Sequence, residues 1–310
     1  MKQKRHLLVI LWTFGLLPFV SLRGEEIFPS AILSFHERGA SVKGQGETVS
    51  DILFAELAAN PDFYLVERED LQKAMSEQEL SMTGLVKPGE AVRIGQLTGA
   101  RILITGSVID AGDHRYLVAK IIGTETSRVH GAMVKGAADQ SIAVLAQKLA
   151  GEVAETVKKR AAELMPAPEP REDRVAALRK AAGAGKKPTL FVKIEERHLQ
   201  SETIDPAAET ELHLLAQAVG FELTDDATRA DVRLRGEAFT EFAYRRHQLV
   251  GVKARVEVKA VDRDGRIVAV DRQTAVAVDL TEHVAAKTAL QEAAAKLAER
   301  LLVKVAALED

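Results

Sequence analysis

The sequence predicts an α+β fold, an α/β sandwich in which two related units each pack helices on a mixed β-sheet. Short apolar runs of strand length alternate with longer segments whose apolar residues recur at helical spacing. The segment Val252–Ala260 alternates apolar with charged residues, as a strand does when one face is buried and the other is wet. A set of three strands followed by a long alanine-rich helix occurs twice, which favours two units over one large domain.

The first element along the chain is a predicted secretory signal peptide, residues 1–24. The basic residues Lys2 and Arg5 precede the uncharged apolar run Leu7–Val20. This run is shorter than the roughly 20 residues of a membrane-spanning helix, so a retained anchor is the weaker alternative. We expect the mature chain to begin near Glu25 and to be periplasmic or associated with the outer membrane.

The composition excludes several kinds of chemistry. The chain has no cysteine, which excludes disulfides, thiolate metal sites, cysteine nucleophiles and a lipid-acceptor cysteine after the signal. Removal of the signal peptide takes away four basic residues and no acidic ones, which changes the formal charge from −3 to −7. A mildly acidic protein lacks the positive field that a nucleic-acid partner requires.

The first predicted α/β domain spans residues 25–163. It opens with a buried strand at Ala31–Phe35 and a loop at Gly39–Gly46, and Thr48 with Asp51 then form a capping box at the start of a helix. The pattern next predicts a strand at Phe63–Val66, helices at Asp70–Glu79 and Glu90–Leu97, and strands at Arg101–Ile109, His114–Gly123 and Arg128–Lys135. A long final helix, capped by Asp139, closes the domain.

A predicted linker, residues 164–188, follows this domain. Prolines alternate with other residues at 166, 168 and 170, which favours an extended, semi-rigid spacer. A short helix is possible within it at Arg171–Ala182, but that segment has little apolar surface to bury.

The second predicted α+β domain, residues 189–310, opens with a strand at Thr189–Glu195 and a helix at Pro206–Val219. Ala230–Gly236 then repeats the pattern of Ala100–Gly106. Two more strands follow, joined by a tight turn at Asp264-Gly265, and a long helix carries Leu290, Leu297, Leu301 and Val305 on one stripe.

The first half resembles the CsgG family of curli assembly and transport components, and the related periplasmic activators of penicillin-binding proteins. The resemblance covers about residues 28–160 and depends on a set of segments in a fixed order: Ala31–Phe35, Val49–Leu53, Phe63–Arg68 with Leu71, Glu77-Gln78, Gly95 and Gly99–Gly106. It implies modules like those of CsgG and of the N-terminal domain of TolB, a mixed sheet with helices packed on it. It also implies an envelope location, assembly through sheet edges and helices, and no catalysis.

Two departures limit what the resemblance implies. Family members that form an outer-membrane pore carry a lipidated cysteine and long amphipathic hairpins. The strand connections here, Ala111–Asp113 and Thr124–Ser127, are only a few residues long, whereas a barrel-spanning strand needs about 9–11 residues of its own. A pore made by this chain alone is therefore not expected, and the second half matches the family only through the internal repeat.

Two motifs invite a chemical interpretation that their details do not support. The loop Gly39–Gly46 between a strand and a helix resembles a phosphate-binding loop, but it lacks the Gly-Lys-Ser/Thr ending. His36-Glu37 begins like a zinc-protease helix, yet residue 40 is alanine where the second histidine would lie. No catalytic, cofactor-binding or metal-ligating residue is predicted, and no cofactor.

Two clusters of charged or aromatic residues remain. Arg68 of the pair Glu67-Arg68 is predicted to pair with a nearby acid and fix the following helix, with contact to a neighbouring subunit as the alternative. Phe239–His247 is the only cluster of aromatic and basic residues; it is predicted as a hairpin loop, with a partner or glycan contact as the alternative.

We therefore expect a non-catalytic protein of the bacterial cell envelope, an accessory or scaffold component of outer-membrane or curli-type assembly or transport. Its expected partners are other envelope proteins or further copies of itself, and peripheral association with the outer membrane is compatible with this. The alternatives are a periplasmic regulator of a cell-wall enzyme, a module that binds a small ligand, and an enzyme whose site has no recognisable motif.

Overall fold

The computed structural model describes residues 27–76, 88–167, 170–198, 201–202, 206–246 and 248–308. The predicted signal peptide and the family-like pair Glu77-Gln78 lie outside these residues. Within them the chain forms two mixed sheets with helices packed on them, so the predicted α+β sandwich of two modules is confirmed. In the same ranges, no helix is both long enough and apolar enough to cross a membrane.

The first module is a five-stranded sheet with strand order β2-β1-β3-β4-β5. Strand β1 runs parallel to β2 and β3, and β3, β4 and β5 are antiparallel neighbours. Its elements are β1 (Phe28–Arg38), α1 (Gln45–Ala59), β2 (Phe63–Leu65), α2 (Arg68–Ser76), α3 (Pro88–Thr98), β3 (Ile102–Ala111), β4 (His114–Gly123), β5 (Val129–Ala137) and α4 (Ile142–Leu164).

The second module has the sheet order β10-β9-β8-β6-β7, with β6 parallel to β8 and the remaining neighbours antiparallel. Helices α6 and α7 pack on one face of this sheet and form its apolar core. Its elements are α5 (Arg171–Ala181), β6 (Leu190–His198), β7 (Ser201–Glu202), α6 (Ala207–Val219), β8 (Val232–Arg246), β9 (Leu249–Asp262), β10 (Ile267–Asp279) and α7 (Glu282–Ala306).

Helices α2 and α3 lie between the two sheets. On one side Leu71 and Ile94 pack on Leu103 of the first sheet, opposite the face that α1 and α4 cover. On the other side the Thr274 hydroxyl of β10 donates a hydrogen bond of 2.9 Å to the carbonyl oxygen of Leu97. The layers therefore run α1/α4, first sheet, α2/α3, second sheet, α6/α7.

The glycines of the repeat, Gly106 and Gly236, hold corresponding positions in β3 and β8. A Cβ atom at Gly106 would lie 2.1 Å from the carbonyl oxygen of Val118, and one at Gly236 would lie 2.0 Å from that of Glu257. Both distances are far inside van der Waals contact, so each strand approaches its antiparallel neighbour too closely for any side chain. The repeat seen in the sequence thus reflects the same backbone packing in both sheets.

The capping box predicted for the first helix is wrong. Helix α1 begins at Gln45, three residues before Thr48, and its N-cap residue is Gly44. The hydroxyl of Thr48 donates to the Gly44 carbonyl oxygen, and Asp51 forms an ion pair elsewhere. A carboxylate on strand β1 caps this helix instead.

The cap predicted at Asp139 is also wrong. The N-cap residue of α4 is Ser141, and it makes no capping hydrogen bond with its side chain. The backbone turns after β5 through a bond from Gln140 N–H to the carbonyl oxygen of Ala137, and this turn delays the helix.

The segment predicted as an extended spacer contains α5. Leu178 is buried in the core of the second module, and the Arg179 guanidinium donates to the carbonyl oxygen of Ala218 at 2.6 Å. Leu178, the partly buried Val175 and these polar contacts dock the helix, although its sequence has little apolar surface.

Candidate functional site

The loop Gly39–Gly46 holds a carboxylate of the chain itself. Glu37 Oε1 accepts a hydrogen bond of 2.8 Å from the Gly46 N–H. Hydrogen bonds from the backbone N–H groups of Gly46 and Gly44 hold the pKa of Glu37 below its ordinary value. Because α1 begins at Gln45, this carboxylate lies at the helix N-terminus, where a bound phosphate would lie.

The pair His36-Glu37 lies on strand β1, so the helix that a zinc-protease motif requires does not form there. Neighbouring strand residues point to opposite faces of a sheet. The Glu37 side chain reaches the start of α1, and that of His36 therefore lies on the opposite face.

Arg68 pairs with acids of α1, as the sequence predicted. Its guanidinium lies 2.7 Å from Asp51 Oδ1 and donates to the Ser50 hydroxyl at 3.2 Å. Since Arg68 is the first residue of α2, these bonds attach the start of α2 to α1.

The loop predicted for the aromatic and basic cluster is wrong. Phe239 to Arg246 belong to β8, and His247 lies outside the described residues. Strand β8 continues because it pairs with β9 as far as Arg246 opposite Leu249, past a register shift after Phe242.

Tyr244 of this cluster lies at the junction between the modules. Its ring stacks on that of Tyr64 in β2, with centroids 5.2 Å apart and an interplanar angle of 28°. Gly251 on the neighbouring strand leaves room for the ring, since a Cβ atom there would lie 2.2 Å from it. Burial raises the pKa of the Tyr64 hydroxyl. The partner of Tyr244 is thus within the same chain.

Next to this stack is a polar cavity of about 170 Å³ between the α2/α3 layer and the outer face of the second sheet. Lys253 lies in its wall, with its ammonium 2.8 Å from Asp70 of α2 and 3.2 Å from Glu241. Burial opposes the charge of Lys253, but the hydrogen bond to Asp70 and the neighbouring anionic groups outweigh it and raise the pKa of Lys253. The other lining residues include Lys73, Thr98, Phe239, Arg255, Arg272 and Thr274.

A second group of charges joins the modules through α7. Glu125, in the turn after β4, accepts hydrogen bonds from Arg101 at 2.9 Å and from Lys296 of α7. Burial opposes the charge of Glu125, but Lys296 and Arg101 outweigh it and hold the pKa of Glu125 below its ordinary value. Burial raises the pKa of the nearby Glu292 instead. The folded structure therefore favours the ionised form of Glu125 and disfavours that of Glu292.

The outer surface of β3, β4 and β5 carries exposed apolar side chains. Leu117, Ala119 and Ile121 of β4 face α1 and α4, so the alternate residues point outward. The contacts of α2 and α3 on this side reach Leu103 and Ile122. Beyond them lie Ile109, Tyr116, Val118, Lys120, Met133 and Lys135, which we call the open face.

The open face combines apolar and cationic groups. Met133 is 59% exposed, and Val129 on the same strand is 52% exposed. The Lys135 ammonium lies over the Tyr116 ring, 5.7 Å from its centroid. Strand β5 is also the edge of its sheet. Such a surface is chemically suited to binding a protein partner.

Residues 30–115 form a segment that is similar to a known family. This segment matches the model of the family described as curli production assembly/transport component CsgG. The resemblance predicted from the sequence is therefore confirmed for the larger part of the first module. The second module lies outside the match.

Several solved structures are similar to parts of the chain. The C-terminal domain of LpoB from Salmonella enterica is 20% identical, with 38% of this chain and 87% of that chain covered and a TM-score of 0.31. The same domain from Escherichia coli is 23% identical, with 36% of this chain and 82% of that chain covered and a TM-score of 0.30. The PelC dodecamer from Paraburkholderia phytofirmans is 15% identical, with 42% of this chain and 85% of that chain covered and a TM-score of 0.26. No curated protein matches the chain.

Proposed function

We propose that this chain is an exported, non-catalytic accessory protein of the bacterial cell envelope that acts by binding other envelope proteins. The observation that carries the proposal is the match of residues 30–115 to a family of assembly and transport components. The N-terminal basic and apolar pattern supports export. The exposed surface that combines Tyr116, Met133 and Lys135 supports binding, because aromatic and methionine side chains are enriched in interfaces and an exposed ammonium group can pair with an acid of a partner.

Cell fractionation tests the location. The expected result is a processed protein, shortened by about 24 residues, in the periplasmic or outer-membrane fraction. A full-length protein in the cytoplasm would overturn the proposal. Mass spectrometry of the N-terminus identifies the cleavage site in the same experiment.

Two finer roles are compatible with this proposal. The first is a scaffold in outer-membrane or curli-type assembly that forms rings or large complexes. The second is a regulator of a cell-wall enzyme that binds one partner molecule one-to-one. The packing of α2 and α3 against the second sheet favours the second role, because that surface is already occupied within one chain.

Size-exclusion chromatography with light scattering separates the two roles. A ring-forming scaffold elutes as a large oligomer of the mature chain, whereas the regulator elutes as a monomer. Cross-linking with mass spectrometry on native envelopes then identifies the partner. If neither an oligomer nor a cross-linked envelope protein is found, the binding role is wrong.

A further inference from the structure

The two sheets can be compared strand by strand, because each has a glycine at the corresponding position of its central strand. Gly106 lies opposite Ala119 of β4, and Gly236 lies opposite Val258 of β9. Counting along these strands and their neighbours, Tyr116 corresponds to Arg255, Met133 to Arg272 and Lys135 to Thr274. The open face of the first sheet thus corresponds to the outer face of the second.

The outer face of the second sheet is covered by helices. Thr274 donates its hydrogen bond to Leu97 at the end of α3, and Asp70 of α2 lies 2.8 Å from Lys253. Arg255 and Arg272 line the cavity that this contact encloses. The outer face of the second sheet is therefore packed against two helices, and Asp70 on a helix pairs with Lys253 on the sheet.

The charge of the open face predicts the chemistry of its partner. Lys120 and Lys135 are exposed there beside Tyr116 and Met133. The outward-pointing residues of β3, β4 and β5 include no aspartate or glutamate. A partner helix with apolar residues on one stripe and carboxylates beside them would satisfy both the apolar surface and the two ammonium groups.

A second copy of the chain is a poor occupant. Two open faces brought together would gather Lys120 and Lys135 of both copies in one contact, and like charges in contact oppose binding. The α2/α3 layer of another copy is held against its own second sheet. These two surfaces of a second copy are therefore unsuited to the open face, which favours a different protein as the occupant.

We propose that the open face is a docking surface for an acidic amphipathic helix of a partner protein. The inference rests on the proposed function, since it identifies the surface through which the envelope partner binds. The contact would repeat, between two proteins, the packing that α2 and α3 make on the second sheet.

Site-specific photo-cross-linking in the native host tests the proposal. A benzophenone amino acid replaces Met133 in the full-length chain, and the adducts are mapped by mass spectrometry. The expected adduct is a single protein, joined through a helical segment that carries aspartate or glutamate. The double substitution Lys120→Glu and Lys135→Glu should reduce its yield about tenfold, because two favourable charge contacts become repulsive.

The matched control is Lys148→Glu with Lys159→Glu, two exposed lysines of α4 on the opposite side of the sheet. Its adduct yield should equal that of the unsubstituted chain. Lys120→Gln with Lys135→Gln keeps the test valid if charge reversal affects folding, and a smaller loss of adduct is expected from it.

Several results would overturn the docking proposal. These are an adduct to a second copy, to a lipid or glycan, or to a segment without acids, and a yield that charge reversal leaves unchanged. If cross-linking of native envelopes still identifies a partner for the charge-reversed chain, only the assigned surface is wrong. If the unsubstituted chain has no partner either, the proposed function fails with it.

Discussion

Glu37 and Glu196 hold corresponding positions in the two modules, and each caps the helix that follows its strand. Glu37 Oε1 accepts a 2.8 Å hydrogen bond from Gly46 N–H, and Glu196 Oε2 accepts one of 2.8 Å from Ala207 N–H. Phe35 pairs with Gly106 and Ile194 pairs with Gly236, and each glutamate lies two residues further along its strand. Each carboxyl group satisfies N–H groups that have no partner within the helix. These bonds lower the pKa of Glu37, whereas burial outweighs them at Glu196 and raises its pKa.

The Glu196 cap can be tested by removing its carboxylate. Its second oxygen accepts from Glu209 N–H at 2.8 Å, and the side chain is only 1% exposed. Glu196→Ala leaves two N–H groups in a buried site without these bonds, so we expect a loss of about 1–3 kcal/mol in the free energy of unfolding. Urea denaturation measures it.

The control for this prediction is Glu195→Ala, an exposed position on the same strand. Its effect should stay within about 0.5 kcal/mol. Equal losses at the two positions would show that strand β6 as a whole, and not the cap, accounts for the effect.

The glycine pair of the repeat gives a second prediction. Gly106→Ala and Gly236→Ala would each place a Cβ atom about 2 Å from a carbonyl oxygen, so strands must move apart. We expect each to lower the free energy of unfolding by about 3 kcal/mol or more, as overpacking in a core does. Thermal denaturation of the two variants measures this.

Gly131→Ala is the matched control on β5, where the nearest atom to a new Cβ would be 3.8 Å away. Its cost should be below about 0.5 kcal/mol. If Gly106→Ala proved as mild as Gly131→Ala, close strand approach would not be the reason for the repeated glycine.

The sequence predicted the sheets well because their signals are local. The alternation from Val252 to Ala260 and the turn at Asp264-Gly265 depend on residues near each other in the chain, and β9 and β10 follow them. Strand β7 was missed because its two residues are too few to show a period.

The caps and the junction depend on contacts between different elements that no helical or strand period reports, and this is why they were not predicted. Asp51 has the right spacing from Thr48 for a capping box, but the folded chain brings Glu37 to the helix start and Arg68 to Asp51. Lys253 and Asp70 are 183 residues apart, and no periodicity could pair them. The open face could have been predicted from the sequence, because Val129, Met133 and Lys135 alternate along β5 with residues that face the other way.

The Tyr64–Tyr244 stack predicts an energetic coupling between the modules. Replacing both residues by alanine, singly and together, should give a coupling of about 0.5–1.5 kcal/mol in the free energy of unfolding, the range for aromatic pairs. Tyr116→Ala combined with Tyr244→Ala serves as the control. Tyr116 lies on the open face of the other sheet, so its effect should add to that of Tyr244→Ala without coupling. Coupling of the same size in both pairs would argue against a specific stack.

The carboxyl groups at α7 predict how acid affects the contact between the modules. Because Lys296 and Arg101 lower the pKa of Glu125 below 4.5, the folded state binds fewer protons there than the unfolded state. The stability from ionised Glu125 is present above the unfolded pKa and is lost as the pH falls through the lower folded pKa. The difference in unfolding free energy between the unsubstituted chain and Glu125→Gln should therefore shrink as the pH falls from 6 to 3, as measured by urea denaturation.

Glu292 should show the opposite dependence of stability on pH. Burial raises its pKa, so its ionisation costs stability as the pH rises above 4.5. Glu292→Gln should accordingly gain stability relative to the unsubstituted chain as the pH rises, and a common pH trend in the two variants would contradict the assigned pKa shifts.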